Sequence, residues 1–176
     1  DNTTITKAIT DFATAYTSLD TVLKSNTKYD ATTKVAATLQ GDSTALSMMA
    51  SLRSLLSTST TASSVFSTLS SAGLETQSGG ALTVNTTKLT SALSNLTELK
   101  KLFAATDLTG GGADGMATKF RTLADNLLGI EGALTTRTAG LNTAVTNNQK
   151  RQETLESRSA LYEKRLRAQY TALDTA

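Results

Sequence analysis

Residues 134–173 carry a rhythm that restricts the chain to helices packed on helices. Leu134, Thr138, Leu141, Val145, Asn148, Gln152, Leu155, Ser159, Tyr162, Leu166, Gln169 and Leu173 follow one another in alternating steps of four and three. That is the heptad spacing of a coiled-coil seam. The first segment repeats it through Ile5, Ile9, Phe12, Tyr16, Leu19 and Leu23, and a third stretch through Met116, Phe120, Leu123, Leu127 and Ile130. The spacing predicts a mainly α fold, an antiparallel helical bundle or coiled coil in which the first helix lies against the long last one.

Composition decides what such a bundle can do. The 176 residues include no His, Cys, Trp or Pro. The usual zinc sites, a catalytic triad, a thiol nucleophile and a disulfide framework are therefore excluded. No pair of acids stands out from the surface scatter of Asp and Glu, so a carboxylate-based active site has no candidate. The expectation is a non-enzymatic protein with no catalytic residues, cofactor or metal. Hydrophobic residues make up 39% and aromatics only 5%, so the core must be built mainly from Leu, Ala, Val and Met. A net charge of +2 is too small to mark a nucleic-acid surface, and no apolar run reaches the roughly 20 residues that span a bilayer. Lys150, Arg151, Arg158, Lys164, Arg165 and Arg167 alternate with Glu153, Glu156 and Glu163. Mixed signs on a long helix read as its solvated flank, with Glu163 and Arg167 spaced for an i,i+4 pair.

Local signals divide the chain further. Helices are expected over 1–25, 43–57, 86–105 and 116–128, and a long one over 132–175. Asp30 is read as the cap of a short helical stretch ending near Gln40, and Gly41-Asp42-Ser43 as a helix start. The uncharged run STSTTASSVFSTLSS over 57–71 reads as loop followed by a short helix. Over 74–85, Leu74 and Thr76, then Leu82 and Val84, alternate with polar neighbours around Ser78-Gly79-Gly80, which predicts one small β-hairpin and the chain's only β-structure. Gly110 to Gly115 matches G-x-G-x-x-G in form, but the segment before it reads as helix rather than strand; a connector is expected, not a nucleotide site. Gly129 and Gly132 predict a turn before the long helix.

The order of several local patterns resembles the flagellar filament-capping protein family of bacteria, also called flagellar hook-associated protein 2. The resembling residues start with Phe12-Ala13-Thr14-Ala15-Tyr16, Thr27-Lys28-Tyr29-Asp30 and Leu39-Gln40-Gly41-Asp42-Ser43, followed by Leu52-Arg53. They continue with Ala72-Gly73-Leu74, Gly80-Ala81-Leu82-Thr83-Val84-Asn85, Lys88-Leu89, Ala92-Leu93 and Leu102-Phe103. They close with Gly115-Met116-Ala117, Gly132-Ala133-Leu134, Arg137 and Leu141. No single piece is specific; their order is. The family's aromatic-Asn pair in the first helix stands here as Tyr16-Thr17, and the Ser/Thr run from Ser57 is unusually long.

The resemblance implies a single helical leg-domain fragment, without the β-rich heads and the terminal helices. It also implies an extracellular place at the distal tip of the flagellum, in a homo-oligomeric, pentamer-like ring that prevents loss of exported flagellin and promotes its folding. Flagellin and the hook-filament junction protein are the implied partners, with no nucleic acid and no membrane insertion. Ile5, Ile9, Phe12, Tyr16, Leu19, Leu23, Leu141, Val145, Leu155, Tyr162, Leu166 and Leu173 are the candidate packing seam. An extracellular coiled-coil adhesin, or another flagellar or secretion-system structural protein, is the alternative.

Overall fold

The computed structural model describes residues 1–108 and 113–175. Its elements run α1 (Asn2–Thr27), β1 (Tyr29–Asp30), β2 (Val35–Ala36), α2 (Ser43–Ser57), a 3-10 turn (Ser70–Ala72), β3 (Leu74–Thr76), β4 (Leu82–Val84), α3 (Thr86–Leu93), α4 (Leu96–Ala104), α5 (Met116–Leu128) and α6 (Ala133–Asp174). The chain is mainly helical, as its heptads predict.

Short oxygen side chains start most of these helices by accepting from free first-turn amides. Asp1 accepts from Thr4 N, Asp42 from Ala45 N, Asn85 from Lys88 N and Asn95 from Glu98 N. The last of these corrects an expectation. The sequence reading draws one helix over 86–105, whereas the chain breaks at Ser94–Asn95 and Asn95 opens a second helix.

The hairpin β3–β4 pairs antiparallel, Leu74 opposite Val84 and Thr76 opposite Leu82. Its turn closes through Gly80 N to Gln77 O at 2.7 Å and uses a positive φ of 84° at Gly80. Two strands alone are marginal, and α1 supplies the missing support. The hydroxyl of Thr17 accepts from Leu82 N at 3.0 Å and donates to Leu82 O at 3.2 Å. One side chain thus serves both backbone groups of a residue in β4. At the hairpin's entry, Gly73 has φ 93°, and a Cβ there would lie 2.8 Å from Asn85 O and from Leu89 N. Only glycine lets the 3-10 turn meet α3 this closely.

The hairpin is not the only β-structure. β1 and β2 form a second, two-residue pair, Tyr29 opposite Ala36 and Asp30 opposite Val35. Asp30 does not cap a helical stretch toward Gln40. Its carboxylate accepts from Thr32 N and Thr33 N, an Asx-type turn that reverses the chain. In the Ser/Thr run the expected short helix reduces to the 3-10 turn: Phe66 and Leu69 are buried, Val65 is exposed.

One core gathers from α1, α2, the 60s loop, the hairpin, α3, α4 and α5; Leu69, Leu74, Leu89, Leu102 and Met116 are its largest fully buried side chains. Helix α6 contributes no buried residue. The expected antiparallel packing of α1 on the last helix is therefore replaced. α1 lies against β4 and α2, and α6 meets α5 and α2. The reason is local: the turn Gly129–Gly132, closed by Gly132 N to Gly129 O at 2.8 Å, launches α6 from the end of α5 and away from α1's apolar stripe.

Candidate interaction surfaces

Three places stand out from the residues upward. The first is the stripe of α1. Ile9, Ala13, Tyr16, Asp20 and Leu23 are its buried residues, a heptad rhythm like the expected one but with Ala13 and Asp20 where Phe12 and Leu19 were read. Leu19 is 40% exposed. Asp20 takes its place because two cations meet it: Lys24 pairs with one carboxylate oxygen and also donates to Gly79 O, and Arg53 lies 3.6 Å from the other. A buried charge persists only with such partners. Tyr16 is buried beside this pair. Desolvation, and then the Asp20 charge, raise its pKa above the ordinary tyrosine value.

The second place is an apolar cavity of about 460 Å³ between α1, α4 and α5. Ile5, Ile9, Phe12, Phe103, Met116 and Phe120 line it, with Lys100 the charged residue at its wall. Phe12 and Phe120 hold its floor edge to face, centroids 5.1 Å apart, a favoured aromatic geometry. The N-terminal half of the α1 seam thus faces α4 and α5, not α6.

The third place is α6. Arg137 fixes its root, donating from Nε and Nη2 to Asp42 Oδ2 at 3.1 and 2.9 Å. The Ala45 amide, and after it Arg137, hold the Asp42 carboxyl below the usual range. Leu134 is half-buried at this root. Beyond it, Leu141, Val145, Leu155, Tyr162 and Leu173 are all exposed, Leu155 at 66% and Leu173 at 78%, while Leu166 is half-buried. The structure brings Ile5, Ile9, Phe12, Tyr16 and Leu23 of the α1 seam into one body, leaves Leu19 outside it, and leaves every named α6 seam residue beyond the root but the half-buried Leu166 exposed to solvent. The expected Glu163–Arg167 pair is present at 2.6 Å.

Sequence reasoning passed over Glu98, which organises the Ser/Thr run. Its Oε2 accepts from Ser63 Oγ and Ser64 N, both at 2.8 Å, and its Oε1 from Lys101 Nζ at 2.7 Å. Lys101 first, then Ser63 and Ser64, draw its pKa down to about 2. The spacing Asn95-x-x-Glu98, a helix-start signature, was the available signal. No group of His, Cys, Asp and Glu able to hold a metal occurs among the described residues. Gly110 to Gly112 of the glycine loop lie outside them.

A helical body with a docked hairpin and a long unpaired helix is an arrangement for assembly, and comparison with known proteins places it. The family model described as flagellar hook-associated protein 2 C-terminus matches residues 1–176. The chain belongs to that family. Flagellar hook-associated protein 2 of Helicobacter pylori is 30% identical over 134 residues, 73% of this chain and 20% of that protein. The crystal structure of the flagellar cap protein FliD D1-D2-D3 domains from Escherichia coli aligns with TM-score 0.62 and 31% identity over 76% of this chain and 35% of that one. This member of the hook-associated protein 2 family therefore spans about a fifth of the curated relative and about a third of the solved chain. The helices and hairpin described above form the part of the family fold that this chain supplies. The family is one of structural flagellar proteins, and the filament-cap resemblance read from the residues is the family that the comparisons show.

Proposed function

We propose that this chain works in a structural protein at the distal, extracellular tip of the bacterial flagellar filament, where it keeps exported flagellin from escaping and promotes its folding into the filament. The observation that carries the proposal is the family match over the whole chain. The physics supports it. The packed body from α1 to α5 gives the leg its core, and the exposed seam residues of α6 (Leu141, Val145, Leu155, Tyr162, Leu173), with half-buried Leu166 between them, together with the cavity lined by Ile5, Ile9 and Phe12 offer apolar surface to other helices. The partners are further copies of the protein, flagellin, and the hook-filament junction protein. Polar seam positions such as Asn148, Gln152, Ser159 and Gln169 weaken helix pairing relative to Leu, which suits contacts that must be remade as subunits pass.

A strain deleted for the protein tests this. It is expected to release flagellin into the medium and to swim poorly, with both defects reversed by the gene in trans. Normal filaments and normal swimming in the deletion strain would remove the capping role.

A further inference from the structure

We propose that the pocket between α2 and the turn of the β3–β4 hairpin takes an acidic, extended peptide segment of a partner protein, its backbone paired to Thr76 and a carboxylate held by Arg53. The proposal is independent of the capping reading and of α6. The pocket encloses about 370 Å³, and Lys24, Arg53, Leu56, Thr76 and Ser78 are in its wall. That is at the small end of ligand pockets, with room for a side chain and the backbone carrying it rather than for a packed helix.

The first support is the charge left over at Arg53. Lys24 is committed, since it pairs with Asp20 and donates to Gly79 O. Arg53 is held by charge only. Its Nη2 lies 3.6 Å from Asp20 Oδ1, too far for a hydrogen bond, and its guanidinium donates none among the described residues. A fork of N–H donors therefore stands at the pocket wall with its side chain 48% exposed. Two cations, Lys24 and Arg53, against one carboxylate, Asp20, leave a single positive charge here. One further carboxylate neutralises it, and the paired oxygens of that group match the guanidinium fork. A phosphate dianion exceeds the charge available.

The second support is an open strand edge in the same wall. Gln77 N donates to Ala81 O and Asn85 N to Gly73 O, and these bonded pairs fix the alternation along the ladder. The backbone groups of Leu82 then point away from β3, where Thr17 meets them. By the same alternation those of Leu74 and Thr76 point away from β4. Leu74 N donates to Leu69 O at 3.0 Å, whereas the amide and carbonyl of Thr76, an exposed residue, find no partner among the described residues. The edge of β4 is thus closed by α1, and the edge of β3 is open at Thr76. An extended chain laid there exchanges backbone hydrogen bonds with Thr76, as in strand addition. Strand addition accepts any sequence; Arg53 selects an acidic one.

The test is a titration of the isotope-labelled 176-residue chain with the blocked pentapeptide acetyl-Thr-Val-Glu-Val-Thr-amide, followed by its amide resonances. The proposal expects saturable shifts at Thr76, Gln77 and Ser78, with a dissociation constant of about 1 mM or lower. Exchanging the peptide's Glu for Gln, or methylating its backbone nitrogens, should each weaken binding about fivefold or more. Arg53→Gln should weaken the Glu peptide by the same factor and leave the Gln peptide unchanged, and Arg53→Lys should recover part of the loss, because it keeps the charge without the fork. Asp20→Asn removes the competing carboxylate and should tighten the Glu peptide about threefold, an effect opposite in sign to any general loosening of the site. Thermal melts verify that each variant folds, and the Arg53 variants decide alone if Asp20→Asn does not. No saturation up to about 10 mM peptide, equal binding of the Glu and Gln peptides, or shifts only at residues away from the pocket would each overturn the proposal. Binding by the 176-residue chain that the full-length protein lacks would overturn it too, since the site would then be filled from within.

Discussion

Glu98 shows how one side chain can order a stretch that composition alone leaves without structure. Residues 58–69 have few apolar groups to bury, and their hydroxyls would compete with any regular backbone pattern. Glu98 at the start of α4 gathers Ser63 and Ser64. The Ser63 hydroxyl passes the order on by accepting from Phe66 N at 3.0 Å, and Phe66 and Leu69 then reach the core. The carboxylate is needed ionised, and its folded pKa of about 2 lies below the ordinary glutamate value of 4.5. A group depressed on folding contributes stability that is fully present above its unfolded pKa and disappears as pH falls through its folded one. Glu98→Gln is therefore expected to lower the melting temperature at neutral pH and to flatten the loss of stability between about pH 4.5 and about pH 2. Thermal melts of both proteins across that window check it; parallel acid limbs would show that Glu98 carries no linkage. Thr17 works on the same principle with a neutral group, its hydroxyl accepting from Leu82 N and donating to Leu82 O.

At the scale of elements, the fate of the α1 stripe separates what a sequence shows from what packing decides. The period was legible, and so were the ends of α2, the β3–β4 hairpin and the Gly129–Gly132 turn, because these depend on neighbouring residues: an Asx cap, alternation, a glycine. The phase at Leu19 and Asp20 was not. A reader following apolar residues chooses Leu19, whereas burial falls on Asp20 because Lys24 and Arg53, from two helices, meet there under the glycine turn. The α3–α4 break was hidden in a similar way, since Leu89, Leu93 and Leu96 continue a helical rhythm across Asn95. β1 and β2, two residues each, offer no alternation to read at all. The phase has a measurable consequence. Leu23→Ala removes a side chain only 5% exposed and is expected to cost about 2–4 kcal/mol, whereas Leu19→Ala should cost less than about 1 kcal/mol. Denaturant unfolding of the two variants distinguishes them, and equal losses would return Leu19 to the core.

Over the whole molecule the structure is divided between a body that buries its stripes and a helix that does not. α6 has 42 residues and none of them buried, so at 1.5 Å per residue it reaches about 63 Å with support at its root only. There the Arg137–Asp42 contact and Thr135 Oγ1 donating to Leu128 O at 3.2 Å tie it to α2 and to the end of α5. Past this root, its stability rests on intrinsic propensity and on i,i+4 contacts such as Glu163–Arg167, which together make a solitary helix only marginal in water. Local opening should therefore be frequent in α6 and rare in α1, whose Ile9, Ala13, Tyr16 and Leu23 are in the core. Amide hydrogen exchange of dilute protein is expected to show the backbone of α6 beyond Leu141 exchanging at least about tenfold faster than that of α1 between Ile9 and Leu23. Equal protection of the two helices in dilute solution would mean that α6 is held by its own chain, and the division of the molecule into a packed body and a free docking helix would be wrong.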